Sequence, residues 1–158
     1  MWDELAGREH PGWRIVSPET GGHVRQHASP TGAGWVFMDL ASPYLDYLCR
    51  QIEETVTLFG DADGIFIDIT FQLDSVSPWV QTRMEAQGLD WTDAEHRLKF
   101  TEQVTFEFFE RTNKTVRKHA PKNADLLQLR PCPSRAPRHA EVFHAPRDGI
   151  ASDRELGL

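Results

Sequence analysis

The chain has 158 residues, of which 39% are hydrophobic and 26% are charged, and this composition fits one soluble domain with a sizeable core. The formal net charge of −7 argues against a nucleic-acid-binding surface and against binding to anionic membranes. No apolar run approaches the roughly 20 residues of a transmembrane helix, and the N-terminal residues lack the pattern of a signal peptide. We therefore expect a cytoplasmic protein with no nucleic-acid or membrane partner.

The cysteines and histidines show no spacing typical of metal ligands. Cys49 and Cys132 are far apart in the sequence, which favours two free thiols in a reducing compartment. The seven histidines form no H-x-x-x-H pair on a predicted helix. We therefore predict no metal site and no cofactor.

Residues 1–34 are predicted to form a long loop, because prolines and glycines recur there without a regular hydrophobic period. A loop of this length in a compact domain is usually functional or partly disordered. Its N-terminal part contains residue types that line polar, aromatic pockets, although the tryptophans could equally cover the core. These candidates are Trp2, Asp3, Glu4, His10 and Trp13.

Residues 35–38 are apolar and extended, and they lead into a predicted amphipathic helix. Ser42 suits the N-cap and Pro43 the first helical position. Apolar residues then recur every four positions, which places them on one face of the helix, and Gly60 is well placed to end it. This face contains Tyr44, Leu48, Ile52 and Val56.

Residues 63–68 are predicted to form a short strand that is buried on both faces, as in a parallel sheet covered by helices. The run ends in Asp68, at the carboxyl end of the strand, where α/β barrels place their catalytic groups. The alternative is that Asp68 only caps the following turn. Gln72 lies in the next loop, on the catalytic side of such a barrel, and is a further candidate for substrate binding.

Two more helices follow in the sequence. Ser77 and Pro78 begin a short helix that Gly88 stops. Residues 92–95 form a capping box with Thr92 at the N-cap, before a long helix that ends ahead of Pro121. We predict that one side of this helix carries Leu98, Thr101, Thr105, Phe108, Phe109, Thr112 and Val116. With a further strand expected from residue 124, the order of elements is the βαβ pattern of a parallel sheet.

Four ordered motifs resemble a known family. They are Met-Trp-Asp-Glu at 1–4, His-Pro-Gly-Trp-Arg at 10–14, Met-Asp-Leu with Ser-Pro-Tyr at 38–44, and Asp-Gly-Ile-Phe-Ile-Asp at 63–68. The chain resembles hypothetical glycosyl hydrolases with a (β/α)8 barrel, which are related to alpha-L-fucosidases and often carry a beta-galactosidase-type trimerisation domain. The resemblance covers roughly residues 1–127. It implies an α/β fold, namely a partial (β/α)8 TIM-barrel fragment of about strands 3 to 5, with parallel strands and covering helices.

The resemblance also implies roles for individual residues. Residues 63–68 would be the fourth barrel strand, and Asp68 would match the nucleophile of fucosidase-like enzymes. Trp2, Asp3 and Glu4 would follow the third strand near the sugar, with His10 and Trp13 in the loop after them. Retaining glycosidases need a second carboxylate about 5 Å from the nucleophile, and the sequence offers no candidate for it.

The chain departs from the family pattern in two places. Relatives often have a Cys-x-Cys-x-x-Cys cluster after the fourth strand, where this chain has Ser75, Ser77 and Val80. Residues 128–158 are irregular and rich in proline and arginine, which is typical of a disordered tail. We interpret them instead as out-of-frame translation, since the frame one nucleotide later can encode Phe-Asn-Ser-Gly-His-Val and a second stretch that resemble the family's fifth and sixth strands.

The resemblance implies a retaining hydrolase of α-linked sugars, with a carbohydrate substrate, no cofactor and homo-oligomeric intact relatives. We expect this chain alone to be inactive, because a slice of a barrel cannot close its sheet. The alternative is a catalytically inactive product or a sugar-binding relic. A flavodoxin-like binder is disfavoured because no glycine-rich loop follows the strand at 63–68.

Overall fold

A computed structural model describes residues 2–26, 34–60, 65–67 and 72–119. The predicted nucleophile Asp68, the strand expected from residue 124 and the tail at 128–158 lie outside the described residues. The elements are helix α1 (Glu4–Glu9), a 3-10 turn (Pro11–Trp13), strand β1 (Arg25–Gln26), strand β2 (Trp35–Val36), and helices α2 (Tyr44–Leu58), α3 (Pro78–Glu85) and α4 (Ala94–His119). The described structure is therefore mostly helical.

The extended segment at 35–39 is hydrogen-bonded along both of its edges. On one edge, the Val36 carbonyl accepts from the Asp3 amide at 3.3 Å. On the other edge, the Phe37 carbonyl accepts from the Ile15 amide at 3.0 Å, and β1 pairs with β2. This segment therefore joins the N-terminal residues, which the sequence predicted as a loop, to the body of the protein.

The predicted parallel sheet is not present in the described part of the chain, where strand pairing is antiparallel. Residues 65–67 have no strand assignment. Ile65 and Ile67 pack against the core, whereas Phe66 between them is 81% exposed. The expectation that this run is buried on both faces is wrong for the described residues 65–67, because only the face with the two isoleucines packs against the core.

The core lies mainly between α2 and α4. Each helix contributes a stripe of residues spaced at three to four positions, as expected for packed helices. The stripes are Tyr44, Leu45, Leu48, Ile52 and Val56 on α2, and Phe100, Val104, Phe108, Thr112 and Val116 on α4. The predicted α2 face is confirmed. The predicted α4 face is correct in its C-terminal half, where Phe108, Thr112 and Val116 are buried, and wrong at Leu98, which is 47% exposed.

Ion pairs connect the same two helices at their surface. Arg111 on α4 pairs with Asp46 on α2, and the hydrogen bond that Arg111 donates to the Asp46 carboxylate raises the pKa of the guanidinium. His119 Nε2 lies 3.0 Å from Glu53 Oε1. Exposed pairs of this kind each contribute little, at most about 1 kcal/mol, so the apolar stripes supply most of the stability.

The helix caps agree with the sequence prediction at α3 and differ at α4. Ser77 is the N-cap of α3, and Gly88 follows this helix with a φ of +71°. For α4, the cap is Asp93 and not Thr92, because Asp93 Oδ1 accepts from the amides of Glu95 at 2.8 Å and His96 at 3.0 Å. The Thr92 hydroxyl instead donates to Asp90, so the predicted capping box is wrong by one residue.

Among the described helices, none combines the length and apolar character needed to cross a membrane.

Candidate active site

The carboxylate of Asp39 is one of the most deeply buried polar groups in the described structure. It stands at the end of the extended segment at 35–39 and has no exposed surface. Oδ1 accepts from the Ala41 amide and from Gln72 Nε2, both at 2.9 Å. Oδ2 accepts from the hydroxyls of Ser75 and Ser77, both at 2.7 Å. In all four contacts an Asp39 oxygen is the acceptor, and each oxygen accepts two hydrogen bonds.

The four donors offset the cost of burying this group. Moving a carboxylate out of water costs several kcal/mol, and the described salt bridges give Asp39 no cationic partner. Hydrogen bonds to a charged group contribute about 1.5–3 kcal/mol each, so four of them balance that cost. We call Asp39, Gln72, Ser75 and Ser77 the Asp39 cluster.

The Asp39 cluster connects three segments that are distant in sequence. Gln72 Oε1 accepts from the Leu40 amide at 2.9 Å, so both the oxygen and the nitrogen of the Gln72 side-chain amide are hydrogen-bonded. Ser75 Oγ accepts from the Val16 amide at 3.3 Å. The cluster therefore holds the segment at 72–77 against the start of α2 and against the N-terminal segment.

Gln72, predicted to bind substrate, is only 7% exposed, and both of its amide atoms are bonded within the protein. The sequence analysis did not select the three other members of the cluster. One signal could have found Asp39, since it follows an apolar extended run just as Asp68 does. The sequence marked Ser77 as a helix cap and both serines as departures from the family's cysteine pattern, but neither signal points to a contact with Asp39.

Asp3 forms a second, smaller polar site. Its Oδ1 accepts from the Ala6 amide at 2.9 Å and caps α1, while its Oδ2 accepts from the Tyr44 hydroxyl at 3.3 Å. Burial, together with the negative charge of Asp3, raises the pKa of Tyr44. The phenol therefore stays protonated and remains a donor to Asp3. Glu4, the next residue, lies exposed in the first turn of α1.

The predicted aromatic residues form two separate stacks. His10 lies on Trp13 with 3.8 Å between ring centroids and 17° between the planes. Trp2 stacks on Trp35 at 5.6 Å, and 45% of Trp2 is exposed. Trp13 is half-buried and packs against the core, so it serves in part as the core cover that the sequence left open.

The extended segment at 35–39 brings several of these residues into one region. Trp2 bridges Phe37 on one edge, and the Trp13 carbonyl accepts from the Asp39 amide at 2.7 Å on the other. Asp3, Trp2 and Trp13 are thus held by the same stretch of backbone. Their roles in binding, and that of Asp68, stay predictions.

The three positions that depart from the resembled family's cysteine pattern form other contacts in this structure. Ser75 and Ser77 donate to Asp39, and Val80 is buried in the core. Cys49 is a free, half-buried thiol on α2. No group of three or more histidine, cysteine, aspartate or glutamate side chains suited to a metal ion occurs in the described part of the chain.

Comparison with known proteins gives one structural likeness. The chain is similar to alpha-L-fucosidase isoenzyme 2 from Paenibacillus thiaminolyticus, with a TM-score of 0.66 and 25% sequence identity over 75% of this chain. The match spans 18% of the length of that enzyme. No protein-family model and no curated protein matches the sequence. The chain therefore resembles part of a glycoside hydrolase.

Proposed function

We propose that this chain forms part of the catalytic (β/α)8 barrel of a cytoplasmic glycoside hydrolase that acts on α-linked sugars, with α-L-fucosides as the preferred substrates. The structural likeness to an alpha-L-fucosidase carries this proposal. The motifs at 1–4, 10–14 and 63–68 support it as well, because they resemble glycosyl hydrolases that are related to alpha-L-fucosidases.

In the proposed mechanism, an Asp68 carboxylate oxygen attacks the anomeric carbon and the bond to the leaving-group oxygen breaks. A second carboxyl group protonates the leaving oxygen and then removes a proton from the water that releases the sugar. In this mechanism, residues that the structure describes would contact the bound sugar. The Trp2 and Trp13 rings offer apolar faces to the sugar, and Asp3 offers a carboxylate that the Tyr44 hydroxyl and the Ala6 amide hold in place.

The second candidate function is sugar binding without hydrolysis. It is favoured by the aromatic and polar sugar-binding candidates among the described residues, namely the stacked Trp2 and Trp13 rings and Asp3. In this candidate function the protein binds the same sugar as in the first but does not hydrolyse it.

Turnover of an aryl α-L-fucoside by the full-length enzyme tests the first candidate, and calorimetric binding of L-fucose to the purified chain tests the second. The first predicts that Asp68→Gly abolishes turnover and that azide restores it, while Asp74→Asn, an exposed carboxylate change, has no effect. Unchanged turnover in Asp68→Gly contradicts the role of Asp68. L-fucose binding without turnover supports the second candidate, and absence of both contradicts both candidates.

A further inference from the structure

The stack of His10 on Trp13 is carried by a 3-10 turn of three residues. A turn this short contributes few hydrogen bonds of its own. Within it, the Trp13 amide donates to the His10 carbonyl at 2.9 Å, and the Arg14 amide donates to the Pro11 carbonyl at 3.2 Å. The carbonyls of Gly12 and Trp13 accept from groups that are distant in sequence. Contacts with those groups therefore decide where the stack lies.

Two donors from elsewhere in the described structure hold these carbonyls. The Asp39 amide donates to the Trp13 carbonyl at 2.7 Å. The indole Nε1 of Trp79 donates to the Gly12 carbonyl at 2.9 Å, across 67 positions of sequence. Trp79 is 38% exposed, and the buried face of α3 consists of other residues. The indole of Trp79 thus contributes to this contact more than to the core.

The Asp39 cluster also places Trp79. Ser77 donates to Asp39 Oδ2 at 2.7 Å, and its Oγ accepts from the Val80 amide at 3.3 Å as the N-cap of α3. Trp79 lies between Ser77 and Val80, in the first turn of this helix. Asp39 is therefore connected to the 3-10 turn directly through its own amide and a second time through Ser77, α3 and the Trp79 indole. Two such connections restrict the turn more than one does, because each hydrogen bond requires a particular distance and angle.

We propose that Trp79 is a positioning residue for the sugar site, and that its indole N–H sets the position of the stacked rings of His10 and Trp13. His10 is exposed and lies 3.8 Å from Trp13 between ring centroids, so a displacement of the turn moves both rings. The ligand that meets them would be a neutral pyranose such as L-fucose. The part played by the two rings in sugar binding rests on the proposed function, whereas their positioning by Trp79 does not.

Trp79→Phe tests this proposal, because it removes the indole N–H and keeps an aromatic ring. The matched control is Trp91→Phe. The indole Nε1 of Trp91 also donates one hydrogen bond, to Glu85 Oε1 at 3.1 Å, but that bond does not involve the 3-10 turn. Both variants lose one indole hydrogen bond, so a general loss of stability should be similar in the two.

NMR spectra and calorimetry of the whole chain give the result. Stacking on Trp13 shifts the imidazole proton resonances of His10 upfield through the ring current of the indole. In Trp79→Phe these resonances should move toward those of an unstacked histidine, and in Trp91→Phe they should stay in place. The affinity for L-fucose should fall about two- to tenfold in Trp79→Phe and change by less than about twofold in the control.

Unmoved His10 resonances in a folded Trp79→Phe chain would overturn the proposal, and so would equal movement in both variants. If Trp79→Phe loses the helical circular dichroism, hydrogen exchange at the Trp79 indole of the original chain replaces it. Slow exchange there supports the bond to Gly12, and exchange as fast as that of free indole overturns it. Moved resonances with unchanged L-fucose affinity would contradict the role of the stack in sugar binding. Absence of L-fucose binding by the original chain counts against the proposed function and leaves the comparison of His10 resonances intact.

Discussion

The hydroxyl of Tyr44, at the start of α2, donates a hydrogen bond to Oδ2 of Asp3, 3.3 Å away and 41 residues earlier in the sequence. This bond joins the cap of α1 to the first turn of α2 through a phenol that is almost completely buried.

The first prediction concerns alkaline pH. The raised pKa of Tyr44 stabilises the fold below the ordinary value of 10.0, and that contribution is lost as pH rises, because the unfolded chain releases the phenolic proton first. The free energy of unfolding should therefore fall with pH above about 10, and less steeply in Tyr44→Phe. Absorbance at 295 nm should show Tyr44 ionising only as the helical signal disappears. Complete ionisation of both tyrosines in a folded chain would contradict this.

The second prediction concerns the α4 cap. Hydrogen bonding from the His96 amide lowers the pKa of Asp93, so its contribution is present above the unfolded value of 3.8 and is lost as pH falls through the folded value. Asp93→Ala should lower the Tm at pH 7, and the difference from the original chain should shrink as the pH falls below the unfolded value of 3.8. Thr92→Ala should have the smaller effect; if it is more damaging than Asp93→Ala, the cap assignment is wrong.

The third prediction concerns the stripe on α4 that faces α2. Phe108 has no exposed surface, so Phe108→Ala should destabilise the fold by about 3–5 kcal/mol through lost burial and the cavity that remains. Phe106 on the same helix is 68% exposed, and Phe106→Ala should change stability by less than about 0.5 kcal/mol. Urea unfolding of both variants measures the difference. Equal effects would contradict the assigned orientation of α4.

The fourth prediction concerns the close approach of α1 to β2. A Cβ added at Gly7 would lie 2.6 Å from Val36 Cγ1 and 3.3 Å from Met38 Sδ, both buried. Gly7→Ala should therefore destabilise the fold by about 1–3 kcal/mol, although alanine favours helices. Gly12→Ala is the control, because a Cβ there meets nothing within 4 Å. A stabilising Gly7→Ala change would show that α1 does not pack as described.

Local signals in the sequence predicted part of this fold. The four-residue spacing from Tyr44 to Val56 predicted the buried face of α2, and Ser77 with Pro78 predicted the start of α3. The buried face of α4 was harder to predict because this helix carries apolar residues on more than one of its faces. Packing against α2 selects the stripe with Phe100 and leaves Leu98 exposed.

The Asp39 cluster could not be predicted because it depends on contacts between residues more than 30 positions apart. A buried aspartate and a capping aspartate look alike in sequence, and only the position of the segment at 72–77 distinguishes them. The N-terminal segment was wrongly predicted to be a loop for a similar reason. Its strand bridges form with residues 35–38, across a separation that local periodicity does not report.

Binding of an iminosugar of L-fuco configuration most directly tests the central claim that Asp68 is the reacting carboxylate of a fucoside site. Such a ligand carries positive charge where positive charge develops in the transition state, so it should pair with that carboxylate. We expect the chain to bind it, the ¹³C carboxyl resonance of Asp68 to shift on binding, and Asp68→Asn to weaken binding about tenfold or more, with Asp74→Asn unchanged. Binding that is unaffected by Asp68→Asn, or no binding by the folded chain, would contradict the account.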